Sequence, residues 1–335
     1  MGTIARYLKE SWHWIVTLVI GMLMIFIPNI AQILNWSVFN LEKLSEYHLI
    51  TIVGVAFCIV AILMLVFHFL YLRNYCIIKV DGMKGKKLPN QKSYYPLDIA
   101  KQEFDCYSIF IDDEKSKQSI YEAYCEMKGM FKTNNEKCLY DKYLFYGYTY
   151  TPFLFMLGQM YSDNRKYYCF HMQQTNQSTK RVRLKRKSKD DNNLVDAYHE
   201  NNKETLIIRV GTTVSIDNMN ISQFGETDVL DITSNKTGTE VIDSIDRLND
   251  WCDIIVKKIR KIDFARYSKI ILLLATSAEM VFLLGKRLSK NSDPNFYVYH
   301  YDANAKNPYP WALASKMVND YDKVVYLYKN DKSSK

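Results

Sequence analysis

Apolar residues crowd the amino-terminal end of the chain in two long runs, about Trp14–Leu34 and about Leu49–Leu72, and neither run holds an Asp, Glu, Lys or Arg. At about 1.5 Å rise per residue, either run as a helix reaches across a hydrocarbon core roughly 30 Å thick, so the pattern predicts two membrane-spanning helices within residues 1–73. A cleaved signal peptide is the competing account of the first run. Against it, the run is longer than an h-region, carries Pro28 and Asn29, and lacks a small-x-small cleavage site. The opening Met1-Gly2 is not a myristoylation signal, because Arg6 stands where Ser or Thr is required. Trp12, Trp14, Trp36, Tyr47 and Tyr71 fall near the run ends, where amphipathic rings favour the headgroup level. Arg6 and Lys9 precede the first run, and Arg73, Lys79, Lys84, Lys86 and Lys87 follow the second. The connecting loop has only Lys43, beside Glu42 and Glu46. The bias of cations predicts both termini in the cytoplasm.

Residues 74–93 read as a juxtamembrane linker, and from residue 94 the periodicity becomes that of an α/β domain. An internal repeat organises it. The stretch YLFYGYTYTPFLFMLGQMYSDN from Tyr143 aligns with IILLLATSAEMVFLLGKRLSKN from Ile270 at a constant offset of 127 residues. Thr149 falls on Thr276, Phe155 on Phe282, Leu157-Gly158 on Leu284-Gly285, Ser162 on Ser289 and Asn164 on Asn291. After a two-residue shift, Cys169-Phe170-His171 meets Val298-Tyr299-His300. The repeat divides the domain into halves of about 94–203 and 204–335.

Each copy reads as a short apolar strand, a polar turn, an amphipathic helix and a second strand. The runs Tyr143–Tyr146 and Ile270–Leu274 are continuous, as in strands buried on both faces. Upstream, Tyr107–Ile111 is a strand candidate before a helix carrying Ile120, Tyr124, Met127 and Phe131. Val229–Ile232 precedes a helix with apolar positions at Val241, Ile245, Leu248, Cys252, Ile255, Ile259 and Ile262. Strands alternating with helices predict parallel βαβ units, an α/β fold.

In such folds ligands sit at the carboxyl ends of the strands, where helix amino termini offer unpaired N–H groups. Four turns are candidates: Asp112-Asp113, Gly147–Thr151 (Gly147, Tyr148, Thr149, Tyr150, Thr151), Thr233–Thr237 with Ser234 and Lys236, and Ala275-Thr276-Ser277. The competing account is that Thr149, Thr151, Thr276 and Ser277 only cap helices. Duplication of the turns at equivalent positions favours a ligand site with internal symmetry.

The formal net charge of +8 lies almost wholly beyond the apolar runs, which suits an anionic partner or a surface near an anionic leaflet. Seven cysteines are scattered singly, without a C-x-x-C pair, as in a reducing compartment. Lys180–Lys189 is the densest basic run; Arg181 and Arg183 could touch phosphates, and a solvated strand or loop is the plainer reading. Asp190–Asn202 reads as a polar surface loop, and His171 and His300 as core histidines. No Walker loop, G-x-G-x-x-G, H-E-x-x-H or Asp-rich metal loop is present, so neither a metal nor a cofactor nor catalysis is expected.

At these residues the chain resembles SAVED domains, sensors of bacterial CBASS anti-phage systems built from two fused CARF-like Rossmann halves. The resemblance is carried by IILLLATSAEMVFLLGKRLSKNSDPNFYVYHYDA with NPYPWALA around Trp311, and by YLFYGYTYTPFLFMLGQM in the first half, within a similarity from about Tyr94 to Lys329. It implies a membrane effector at the bacterial inner membrane with two transmembrane helices and a cytosolic head. The implied ligand is a cyclic oligonucleotide, a trinucleotide by preference, made by a partner CD-NTase. Head-to-tail SAVED stacking into a homo-oligomer would then cluster the spans and disrupt the bilayer; DNA and RNA are not expected partners. The alternative is a membrane-anchored CARF-like sensor or ring nuclease acting on cyclic oligoadenylate.

Overall fold

The computed structural model describes residues 15–23, 25, 44–72, 75–82, 101–105, 117–135, 142–162, 166–174, 179–183, 192–238, 241–316 and 320–327. Two compact units divide the chain, Met1–Cys76 with Gln91–Lys101, and Ile77–Asn90 with Gln102–Lys335.

In the first unit residues 15–23 are helical, and helix α1 covers Leu44–Leu72. The two helices pack through small residues. A Cβ added to Gly21 would lie 2.8 Å from Cys58 Sγ and 2.9 Å from the Gly54 carbonyl oxygen, and the Cys58 thiol donates to the Leu18 carbonyl at 3.8 Å. Gly54 and Ala61 are buried in the same seam, whereas Ile52, Phe57 and Leu63 are exposed. Over the described residues no helix is long and apolar enough to cross a membrane. In α1 the positions with described side chains end at 52 and 66, about 22 Å of helix against a core of roughly 30 Å. The expected spans extend beyond those positions.

The second unit holds twelve strands and four long helices among its described residues: β1 Tyr75–Asp81 (from Ile77), β2 Lys101–Asp105 (from Gln102), α2 Lys117–Asn135, β3 Lys142–Tyr148, α3 Thr151–Met160, β4 Lys166–Gln174, β5 Thr179–Arg183, β6 Leu194–His199, β7 Thr205–Gly211, β8 Asp228–Ser234, α4 Ile245–Ile259, β9 Lys269–Ala275, α5 Ala278–Arg287, β10 Phe296–His300, β11 Trp311–Ala314 and β12 Val325–Leu327. One sheet has the order β2-β1-β3-β4-β5, the other β12-β11-β10-β9-β7-β8-β6. In the second sheet β10, β9, β7 and β8 are parallel, and antiparallel strands extend both edges.

The repeat is a structural one. Strands β3 and β4 pair in parallel with Tyr143 opposite Tyr167 and Phe145 opposite Cys169. Strands β9 and β10 pair with Ile270 opposite Phe296 and Leu272 opposite Val298. These are the same register under the sequence alignment, including its two-residue shift. Helices α3 and α5 then cross against each other around a local two-fold axis. A Cβ on Gly158 would fall far inside the van der Waals shell of the Phe282 carbonyl oxygen, and one on Gly285 inside that of the Phe155 carbonyl oxygen. Gln159 Nε2 donates to the Leu288 carbonyl at 3.1 Å, and the equivalent Lys286 Nζ donates to the Tyr161 carbonyl at 3.2 Å. Phe155 meets Phe296 edge-on at 6.4 Å, and its counterpart Phe282 meets Tyr167 at 5.6 Å. Each half thus lends its helix to the other's sheet.

Two expectations need correction, and one strand was not predicted. The linker stretch 74–93 contains β1, which lies between β2 and β3. The stretch expected to be a polar loop, Asp190–Asn202, contains β6, paired with β8 from Leu194↔Ser234 to His199↔Val229. Its side chains are nearly all exposed, so no apolar alternation betrays the strand; the backbone ladder and the Tyr198–Tyr267 hydroxyl contact hold it. Strand β7 escaped notice because Arg209 interrupts its apolar run. That guanidinium is buried against Asp231 at 2.9 Å and the Ile216 carbonyl at 3.0 Å. The candidates Tyr107–Ile111 and Asp112-Asp113 lie outside the described residues. Helix α2 buries Ile120, Tyr124 and Met127 as expected, with Phe131 partly covered.

The crossing predicts which glycines are replaceable. Gly158→Ala and Gly285→Ala should each destabilise the protein by about 2 kcal/mol or more, because the backbone at the crossing must separate. Gly129→Ala in α2, where an added Cβ meets nothing within 4 Å, should be neutral or stabilising by up to about 1 kcal/mol. Denaturant unfolding of the three variants checks this; equal effects would contradict the crossing.

Candidate functional site

The parallel strands of the second sheet finish on one edge. Gly211 is opposite both Thr233 and Ala275, and β10 lies beside β9. Along that edge the chain therefore presents Ser234, Thr212, Thr276 and His300 in spatial order. The turns are tied together. Thr212 and Thr213 donate their backbone N–H groups to the Ala275 carbonyl at 3.0 and 3.1 Å, and the Thr213 hydroxyl reaches the same oxygen at 2.9 Å. Thr212 Oγ1 and Thr276 Oγ1 are 2.6 Å apart, and the Thr276 hydroxyl also meets Met280 Sδ at 2.8 Å. Ser234 Oγ lies 2.7 Å from the Lys236 carbonyl oxygen and 3.2 Å from that of Thr212, and its single proton serves one of them. Asn192 fixes the Lys236 backbone from both sides, accepting from its N–H at 3.0 Å and donating to its carbonyl at 2.9 Å. The Lys236 side chain stays exposed.

The first-half turn follows β3. Gly147, with φ +147°, packs on the Val80 backbone where a side chain would collide. Thr149 is buried, and its hydroxyl makes a long 3.5 Å contact to the Gly82 carbonyl oxygen. Tyr150 is half-buried and brings this turn to the second-half edge. Its ring meets His300 edge-on at 4.7 Å and lies 5.9 Å from the Trp311 ring. Burial, and next the nearby Asp302 carboxylate, push the Tyr150 phenol above its ordinary pKa, so it stays protonated at neutral pH. The aromatic cluster joins the two halves at the strand ends.

The capping account does not hold for the duplicated turns. The N-cap of α3 is Tyr150 and that of α5 is Ser277, the equivalent position, and neither accepts a backbone N–H with its side chain. The chain does cap elsewhere: Ser244 of α4 accepts from Arg247 N at 3.1 Å. Ser277 is buried, and its Oγ has no hydrogen-bond partner among the described residues. Pro152 stands in the first turn of α3 and removes one of the N–H groups that α5 retains.

Of the predicted residues, Ser234, Lys236, Ala275 and Thr276 are joined in one network, Ser277 stands beside it, and Tyr150 reaches the same edge. Thr149 and Gly147 shape the first turn, and Thr151 opens α3 half-exposed. Tyr148 has a described backbone only, as do Arg181 and Arg183, which lie on β5 opposite Met172 and Phe170 of β4. His171 is on β4, and His300, expected in the core, is at the edge. The sequence reading missed Thr212, Thr213, Asn192 and the setting of Trp311. The one signal for Thr212 was its position directly after an apolar run ending in Gly211. A cavity of about 730 Å³ opens elsewhere, lined in part by His199, Lys203, Arg209, Glu226 and Val229. Its cations are paired, Arg209 with Asp231 and Lys203 with Glu226. Among the described residues no group of His, Cys, Asp and Glu could hold a metal ion.

Comparison with known proteins places this geometry. The family model described as the SMODS-associated and fused to various effectors sensor domain, SAVED, matches residues 127–314, more than half of the chain. The chain belongs to the SAVED family. Its matched region begins inside α2 and ends with β11, so it covers both crossing helices and the strand-end turns. No curated protein matches it. Among solved structures it is similar to the Acinetobacter baumannii Cap4 SAVED/CARF-domain containing receptor with the cyclic trinucleotide 3'3'3'-cAAA, at 14% identity and TM-score 0.49 over 76% of this chain and 54% of that one. With 2'3'3'-cAAA the same receptor gives 14% identity and TM-score 0.48 over 80% and 56%. The Moraxella osloensis Cap4 receptor gives 14% identity and TM-score 0.39 over 94% and 77%. The chain spans about half the length of the Acinetobacter receptor.

Proposed function

We propose that this SAVED protein is a membrane effector of anti-phage defence whose head binds a cyclic oligonucleotide, a trinucleotide by preference, at the strand-end edge. The observation that carries the reading is that the close crossing of α3 and α5 brings together two helix amino termini that no side chain caps. Cyclic trinucleotides are the ligands named for the Acinetobacter receptor. Tyr150, and Tyr148 beside it, would stack on bases, and Lys236 with the turn N–H groups would meet phosphates. A receptor rather than an enzyme is proposed: among the described contacts, the Thr149, Thr276 and Ser234 hydroxyls bond backbone carbonyls, another threonine or a thioether, and none bonds a general base.

The first unit supports the membrane part of the proposal. Its helices turn small residues toward each other and large apolar ones outward, with Val19, Ile20, Leu23, Ile59, Ile62 and Leu63 all about half exposed or more. That arrangement is inverted relative to a helix pair in water and suits lipid, where close packing of small residues holds helices together. At 29 residues α1 extends about 43 Å. The proposed location is the bacterial inner membrane with both termini in the cytoplasm. Ligand made by a partner nucleotidyltransferase would make the heads stack head to tail and cluster the spans.

Calorimetry of the protein against cyclic di-, tri- and tetranucleotides tests the ligand. Saturable binding is expected, and Tyr150→Ala or Tyr148→Ala should weaken it roughly five- to 150-fold where that ring stacks; no binding at tens of micromolar, a rough threshold, removes the reading. For the output, the full chain in dye-loaded liposomes should leak when ligand is added, and a truncation beginning near Arg73, which removes the apolar runs and keeps β1 whole, should not. Intact liposomes despite ligand-induced oligomers would contradict the effector mechanism.

A further inference from the structure

We propose that the amino terminus of α5 is the phosphate subsite of this chain, with Ser277 Oγ as its side-chain donor, and that the two-fold related terminus of α3 is not one. The proposal deepens the ligand reading above, and rests on it for what carries the phosphate. Three observations converge. Helix α5 is ten residues long, and its N-cap side chain accepts none of its first N–H groups, which leaves those donors without a side-chain cap. Ser277, 8% exposed, holds an Oγ without a hydrogen-bond partner among the described residues, and a buried hydroxyl in that state is costly unless a ligand completes it. The neighbouring hydroxyl that could have capped the helix, Thr276, is turned away to Thr212 and Met280. Glu279 of the same turn is buried. At the equivalent place in α3 stand Tyr150 and Pro152: the N-cap residue has no hydroxyl at Oγ and packs its ring on His300 and Trp311, and the proline deletes a donor. One half thus offers an anion site and the other an aromatic plate.

Because Asp is a strong N-cap, the proposal separates stability from binding. The full chain in detergent is unfolded thermally in sodium phosphate and in sodium chloride of equal ionic strength, as wild type, Ser277→Asp, Ser277→Ala and Ser244→Ala. Wild type should gain a saturable increase in Tm with phosphate. Ser277→Asp should keep or raise its Tm in chloride, yet need at least about tenfold more phosphate for the same response, since its carboxylate occupies the site. Ser277→Ala should fold as well as wild type and need several-fold more, roughly three- to tenfold. Ser244→Ala, which uncaps α4 only, should lower Tm and leave the phosphate midpoint unchanged. A wild type without a saturable phosphate response, or a wild-type midpoint in both Ser277 variants, overturns the proposal. A phosphate response that persists when no cyclic oligonucleotide binds removes the ligand reading alone, and unaltered cyclic oligonucleotide affinity in Ser277→Asp removes this subsite alone.

Discussion

Where α3 and α5 cross, neither helix can carry a side chain, because Gly158 rests on the Phe282 carbonyl and Gly285 on the Phe155 carbonyl. This close approach sets the separation of the two halves. It lets Phe155 reach Phe296 and Phe282 reach Tyr167 and Phe145, so each helix fills the core of the opposite sheet. Burial of those rings is the dispersion and hydrophobic gain that holds the halves together, and the glycines are the geometric condition for it. The Gln159 and Lys286 contacts to opposing helix-end carbonyls then satisfy acceptors the helices cannot satisfy themselves.

The same axis accounts for the site. Both crossing helices start at carboxyl ends of parallel strands, so fixing the crossing fixes where the two turns lie. Tyr150 shows the consequence: a residue of the first half packs on His300 and Trp311 of the second. Symmetry in the backbone coexists with divergence in the side chains. Ser277 and Tyr150 occupy equivalent N-caps with unlike chemistry, and the second-half turn alone is cross-linked through Thr212 to its neighbours. The duplicated fold in this way gives the candidate site two different sides.

The repeat was legible in the sequence because the residues it matched are those the crossing constrains: the glycine and phenylalanine pairs cannot vary without prising the helices apart. The two-residue shift was legible for the same reason, since strand register must match in both halves. What escaped reading follows another physics. Strand β7 hides behind Arg209, whose charge is cancelled by Asp231, a partner that only folding brings close. Strand β6 is an edge strand with exposed side chains, stabilised by main-chain bonds that no periodicity records. Hydroxyls at Thr149, Thr151, Thr276 and Ser277 suited a capping role on composition, yet their actual partners depend on neighbours 64 and 67 residues away, in the cases of Thr276 and Thr149. The apolar runs were plain from the outset, and their small-residue seam at Gly21, Gly54 and Cys58 needed the helix pair itself.

The central claim is that both halves build one composite site. Its most direct measurement is the stoichiometry of cyclic trinucleotide binding to the protein by titration calorimetry, with active concentration fixed independently. One composite site predicts a single ligand per chain, with one transition. Two ligands per chain, or two separable transitions each removed by a change in only one half, would show independent half-sites and contradict the account.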